Sequence, residues 1–123
     1  MARARHSLQR MLRACGYSLR GIVLGWRYET AFREEILLGA VLVPLSLWVG
    51  RDALDYVLLI GSLVMLMITE LFNSAIEALT DRISLEHHEL SGRAKDYAAA
   101  AVFIAFLLML VVWGAIAYLR FAA

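Results

Sequence analysis

The chain has 123 residues, 62% of them hydrophobic, with a mean hydropathy of +0.70. An ordinary soluble domain is about 45–50% apolar, and one this small could not hide the excess from water. Disorder needs low hydrophobicity, and 8 Gly, 1 Pro and 1 Cys fit no collagen-like, low-complexity or disulfide-scaffold class. A small polytopic membrane protein remains, one domain in length, whose net charge of +1 says less than where the charges sit.

The first element predicted is a surface helix over about residues 1–27. Leu8, Met11, Leu12, Cys15, Leu19, Ile22, Val23 and Trp26 recur at three- and four-residue spacing, with Arg13, Arg20 and Arg27 on other faces. This is the pattern of a cationic amphipathic helix lying on a membrane surface. A secretory signal would need a continuous apolar core and a small-residue cleavage site, and neither is present. Cys15 reads as a small apolar residue, since it has no intrachain partner and no metal-ligand spacing.

Three apolar stretches follow, expected to cross the membrane at 31–50, 54–80 and 96–119. Arg3, Arg5, Arg10, Arg13, Arg20, Arg27 and Arg33 precede the first uncharged run, and Arg82, Arg93 and Lys95 lie between the last two stretches. By the positive-inside rule the N-terminal segment and the 81–95 loop are cytoplasmic, while the short Arg51–Asp55 loop and the C-terminus are outside. The first stretch is uncharged only over Ile36–Gly50, short against the roughly 20 residues a span needs, and Pro44 should kink it. Trp48, Trp113 and Tyr118 fall near the outer interface, where amphipathic rings collect.

The second stretch carries the unusual chemistry. In Glu70-Leu-Phe-Asn73-Ser-Ala-Ile-Glu77-Ala-Leu-Thr-Asp81, positions 70, 73, 77 and 81 line one helical face. A carboxylate in a membrane span costs about 2.5–3.5 kcal/mol on insertion scales. Such a stripe is either a functional site or a polar seam joining helices. Glu29, Glu34 and Glu35 form a second acidic group beside Arg33. Glu29 and Arg33 could simply pair along a helix. Alternatively Glu29 and Glu77 meet across helices, where two hard oxygen ligands would suit Mg²⁺ together with phosphate oxygens. Glu70 lies about 10 Å deeper than Glu77, so one helix cannot put both on the same ion. Desolvated at the level where lipid headgroups meet tails, Glu70 suits a general base acting on a lipid hydroxyl. The 81–95 loop adds Asp81, Glu86, His87, His88 and Lys95, and Asp96 follows it. No P-loop motif occurs in the chain.

The run Glu70-Leu-Phe-Asn-Ser-Ala-Ile-Glu77, followed by Asp81-Arg82 and Glu89-Leu-Ser-Gly-Arg-Ala-Lys-Asp96, resembles the bacterial integral-membrane diacylglycerol kinases. Ala14-Cys-Gly-Tyr17-Ser18 and Glu29-Thr-Ala-Phe-Arg33 are similar to that family too. The resemblance implies an all-α homotrimer in the bacterial inner membrane. It would transfer the γ-phosphoryl group of Mg-ATP to diacylglycerol, giving phosphatidate, at sites shared between protomers. It implies Glu70 as catalytic base, Glu29 and Glu77 as metal ligands, and Asn73 as support for the reacting centre. ATP contacts would come from Arg10, Tyr17, Glu29, Glu77, Glu86, His87, His88, Lys95 and Asp96. Lipid contacts would come from Arg10, Ala14, Tyr17, Ser18, Ala31, Phe32, Arg33, Glu34, Glu35, Trp48, Glu70, Ala99 and Trp113. Tyr28 departs from the Asn that better-known members carry before the metal-binding Glu. The competing readings are an undecaprenol kinase of the same architecture, a small proton-coupled exporter with Glu70 as the exchanged site, and a purely structural assembly subunit.

Overall fold

A computed structural model describes the chain apart from residues 84, 85 and 87. It is all-helical among the described residues: α1 (Ala2–Tyr28), α2 (Thr30–Val49), α3 (Ala53–Ile83) and α4 (Glu89–Phe121). Two of these, α3 and α4, are long and apolar enough to cross a membrane, with hydropathies of 1.9 and 2.7 over their most apolar windows. α2 opens with Arg33, Glu34 and Glu35, and its uncharged part, residues 36–49, spans only about 20 Å at 1.5 Å per residue. It runs unbroken through Pro44.

The 81–95 segment differs from the expected loop. α3 continues through Asp81 and Arg82 to Ile83, and α4 begins at Glu89, well before the uncharged run that opens at Tyr97. Local chemistry explains the early start. The His88 side chain accepts from the Leu90 N–H at 3.1 Å, an N-cap, and Arg93 pairs with Glu89 one turn away at 2.9 Å. α4 is therefore a long helix whose first two turns are charged.

The α3–α4 pair holds most of the buried apolar surface. Leu63, Leu66, Ala105 and Met109 form one buried cluster, against which Leu42 of α2 packs. Val49, Leu59 and Ile116 form another nearer the far end. Trp113 lies beside both and donates its indole N–H to the Leu59 carbonyl at 3.1 Å. Trp48 meets Phe121 there, ring centroids 4.8 Å apart. Asp55 is buried, and its carboxylate accepts from the Arg51 backbone N–H at 3.0 Å and from Arg51 Nε at 2.8 Å. The Asp52 side chain accepts in turn from the Asp55 N–H at 3.0 Å, so the short α2–α3 turn satisfies the first donors of α3.

α1 meets the bundle only at its C-terminal end. Every residue before Gly25 is exposed, while Gly25 is buried. A Cβ on Gly25 would stand 2.9 Å from Phe32 Cδ1 and 3.3 Å from Leu71 Cδ2, so the missing side chain is what lets α1, α2 and α3 converge. The exposed apolar face of α1 fits the surface helix expected from its spacing.

Candidate active site

That convergence positions the acidic residues. Glu29 is the single non-helical residue between α1 and α2 (φ −110°, ψ 105°), ending one helix and preceding the other. Its carboxylate stands at the N-terminus of α2, where the helix dipole favours negative charge. The Glu29–Arg33 pair, one of the two readings the spacing allowed, is absent among the described residues. Arg33 instead turns back and donates to the Trp26 and Arg27 carbonyls, at 3.1 and 3.0 Å, satisfying acceptors left over at the end of α1. Glu29 is thereby left available.

Glu70 is buried on α3, 6% exposed. The Asn73 side chain is turned to its carboxyl group, and the charges of Glu77, Glu29 and Glu35 all reach it. Three buried side-chain atoms have no hydrogen-bond partner among the described residues: Glu35 Oε2, Asn73 Oδ1 and Ser74 Oγ. All three belong to residues around Glu70. Buried polar atoms are nearly always paired, so a cluster of exceptions in one place marks a site built for something else. Ser74 was not singled out in the sequence; a hydroxyl one turn after an intramembrane Glu was the available signal.

Beside this stripe runs an apolar groove of about 750 Å³ between α1 and α3, lined by Ser18, Gly21, Gly25, Leu71, Ser74 and Ala78 among others, with Glu29 at its edge. At the end of α3, Lys95 and Asp81 form an ion pair at 2.5 Å, both partly exposed. Lys95 precedes the apolar run. Its ammonium is held above the ordinary lysine value by the Asp81 hydrogen bond, with further support from the charges of Asp81 and Glu77. Lys95 is thus tied electrostatically to the Glu77 end of the stripe.

Other expected site residues are dispersed. Arg10, Ala14 and Tyr17 stand exposed on α1, with Arg20 over the Tyr17 ring and the Ala14 carbonyl accepting from Ser18. Phe32 is buried against Gly25, whereas Ala31 and Glu34 are exposed. Glu86 and Asp96 are exposed near the α3–α4 connection, and His88 serves as the cap of α4. His87 lies outside the described residues. Ala99 is exposed on α4, and Trp48 and Trp113 lie toward the opposite end of the bundle from Glu70, in the packing described above.

Residues 16–117 match the prokaryotic diacylglycerol kinase family. The chain belongs to that family. It is 45% identical to the diacylglycerol kinase of Escherichia coli K12 over 92% of this chain and 93% of that one. The Haemophilus influenzae enzyme of the same name is 43% identical over 90% and 94% of the two chains, and that of Pseudomonas aeruginosa 44% over 89% of each. The chain is therefore a membrane-embedded kinase of this family.

Proposed function

We propose that the chain transfers the γ-phosphoryl group of ATP to the free hydroxyl of diacylglycerol, giving phosphatidate, with Glu70 as general base. The observation carrying this reading is the set of unpartnered polar atoms gathered around a buried carboxylate beside an apolar groove. Relatives named for diacylglycerol support this acceptor over undecaprenol. A proton-coupled exporter or a purely structural subunit would not account for family membership.

Glu70, desolvated and flanked by Asn73, takes the proton of the lipid hydroxyl as its oxygen attacks phosphorus. The groove between α1 and α3 is open to lateral entry of a lipid. Lys95, Glu86, His88 and Asp96 serve the nucleotide from the charged end of α3 and α4, with Arg10 and Tyr17 contributing from α1. The donor set also fits Mg²⁺. Glu29 and Glu77 would offer two hard oxygens, and the charges of both act on Glu70. Two carboxylates leave positions for phosphate oxygens, the usual arrangement for this ion. When bound there, Mg²⁺ supplies electrostatic offset of the phosphate charge.

The same reading takes α2 as a third crossing, in a homotrimer of the bacterial inner membrane with N-terminus and active site cytoplasmic. The largely exposed apolar faces of α3 and α4 support both embedding and association. The test is a radiolabelled-phosphate assay offering diacylglycerol and undecaprenol side by side. Glu70→Gln should reduce turnover by roughly 10²–10⁴-fold while ATP still binds. Near-normal phosphatidate output from that variant would remove Glu70 as base, and preferential labelling of undecaprenol would change the acceptor.

A further inference from the structure

We infer that Ser74 is a further catalytic residue, whose hydroxyl donates to a non-bridging oxygen of the phosphoryl group as it passes from nucleotide to lipid. The inference rests on the reading of Glu70 and Glu77 above and adds a residue to it.

The first observation is a contrast. Inside a helix, a hydroxyl cut off from water folds back onto a carbonyl of the preceding turn where no other partner is in reach. Ser46 donates to Val43 at 2.6 Å, Ser62 to Leu59 at 2.8 Å, Thr69 to Leu66 at 2.8 Å and Thr80 to Ile76 at 2.9 Å. Ser74 does not. Its Oγ is shut off from water and has no partner among the described residues. A buried donor left unmade is a standing cost unless a ligand takes it up.

The second observation is position. At about 100° per residue, Ser74 lies roughly 40° round α3 from Glu70. It sits on the boundary between the stripe of Glu70, Asn73 and Glu77 and the groove face of Leu71, Ala75 and Ala78. It is about 6 Å along the axis from Glu70 and about 4.5 Å from Glu77. A lipid oxygen deprotonated at Glu70 and a nucleotide anchored near Glu77 must exchange a phosphoryl group between those levels.

The third observation is chemical. The charges of Glu29, Glu35 and Glu77 all act on Glu70, so negative charge gathers around it. The unpartnered Glu35 and Asn73 atoms are acceptors in the ionised and amide forms, and the Asn73 side chain is turned to Glu70. Ser74 is a hydroxyl donor one turn from this carboxylate, and its proton has no acceptor among the described residues. In the transfer, the bond from acceptor oxygen to phosphorus forms, the bond from phosphorus to the ADP oxygen breaks, and the acceptor proton passes to Glu70. Ser74 keeps its own proton throughout.

The experiment measures kcat and KM for Ser74→Ala, Ser74→Thr and Glu70→Gln in mixed micelles of the full-length protein. A donor aimed at developing charge acts mainly on kcat. Ser74→Ala should lower kcat roughly 10- to 100-fold, with KM for ATP and for diacylglycerol each within about twofold of the starting enzyme. Ser74→Thr, which keeps a hydroxyl, should recover most of the loss. An unchanged kcat, a loss confined to the KM for diacylglycerol, or a Thr variant as impaired as Ala would each overturn the role of Ser74. Full activity in Glu70→Gln would overturn the underlying reading instead.

Discussion

The corner where α1, α2 and α3 meet depends on one missing side chain, and Gly25→Ala tests it. The added methyl would sit 2.9 Å from Phe32 Cδ1, 3.1 Å from Phe32 Cε1 and 3.3 Å from Leu71 Cδ2. Phe32 is 1% exposed, so its ring has no free space to retreat into. Overpacking of this kind costs about 1–3 kcal/mol. Replacing Gly by Ala inside a helix contributes about 1 kcal/mol in the opposite sense. Gly16→Ala is the matched control, because α1 there has nothing within 4 Å of an added Cβ. The propensity gain is common to both variants, so their difference isolates the steric cost of about 1–3 kcal/mol. At roughly 4 °C per kcal/mol for a chain of this size, thermal melts in detergent should separate by about 4–12 °C, with Gly25→Ala the lower.

Phe32→Leu provides the second arm. In the parent it removes buried ring volume and destabilises; in the Gly25→Ala background it vacates the space the methyl needs. The two substitutions should therefore couple favourably by about 1 kcal/mol or more in a double-mutant cycle. Alanine variants at 16 and 25 that melt together, or a Phe32→Leu penalty equal in both backgrounds, would refute the packing argument.

Glu29→Gln and Glu77→Gln should each raise the Mg²⁺ concentration for half-maximal rate by about tenfold or more at saturating ATP; unchanged titrations in both would eliminate the carboxylate pair. Lys95→Met should raise the KM for ATP while leaving the thermal melt nearly unmoved, since its pair with Asp81 is largely exposed and such pairs add little stability. A flat KM would take Lys95 off the nucleotide. Trp113→Phe should destabilise by about 0.5–1.5 kcal/mol. The Leu59 carbonyl keeps its Ser62 partner, which places the loss toward the lower end; an unaltered melt would show that the indole N–H is not a staple between α3 and α4.

The parts of this molecule legible in the sequence are those set by periodicity. The uncharged run from Tyr97 to Leu119 announces α4, the spacing of Leu8, Met11, Leu12 and Cys15 announces α1, and the 70, 73, 77, 81 spacing announces a polar stripe. What was not legible depends on local geometry. Glu29 and Arg33 look like a helical pair by spacing, yet Glu29 is extended, so that pairing geometry does not exist and Arg33 closes α1 instead. The charged 81–95 segment reads as loop, yet α3 runs on to Ile83 and the His88 cap with the Glu89–Arg93 pair starts α4 at Glu89. The position of Ser74, one turn after an intramembrane Glu, is legible in the sequence, but that its hydroxyl does not bond backward is visible only once the side chain is placed.

The Gly25 contact also bears on how an acidic group can sit among apolar helices. Gly25 touches Phe32 and Leu71 together, which sets residue 32 of α2 level with residue 71 of α3. From that level, α2 continues uncharged over residues 36–49 and α3 runs back to Ala53, about 20 and 27 Å at 1.5 Å per residue. Both fall short of a hydrocarbon core of about 30 Å. In the proposed three-span arrangement, Glu35 and Glu70 therefore lie where tails give way to headgroups rather than at the midplane. The remaining turns of α3, from Leu71 to Ile83, stand in the headgroup layer and beyond in that arrangement, where the C-terminal end of α1 meets Leu71. The insertion cost of Glu70 is correspondingly below that of a central carboxylate, since depth governs it. Under the proposed function, a diacylglycerol, which carries its hydroxyl at this same depth, would meet Glu70 without being lifted out of the leaflet.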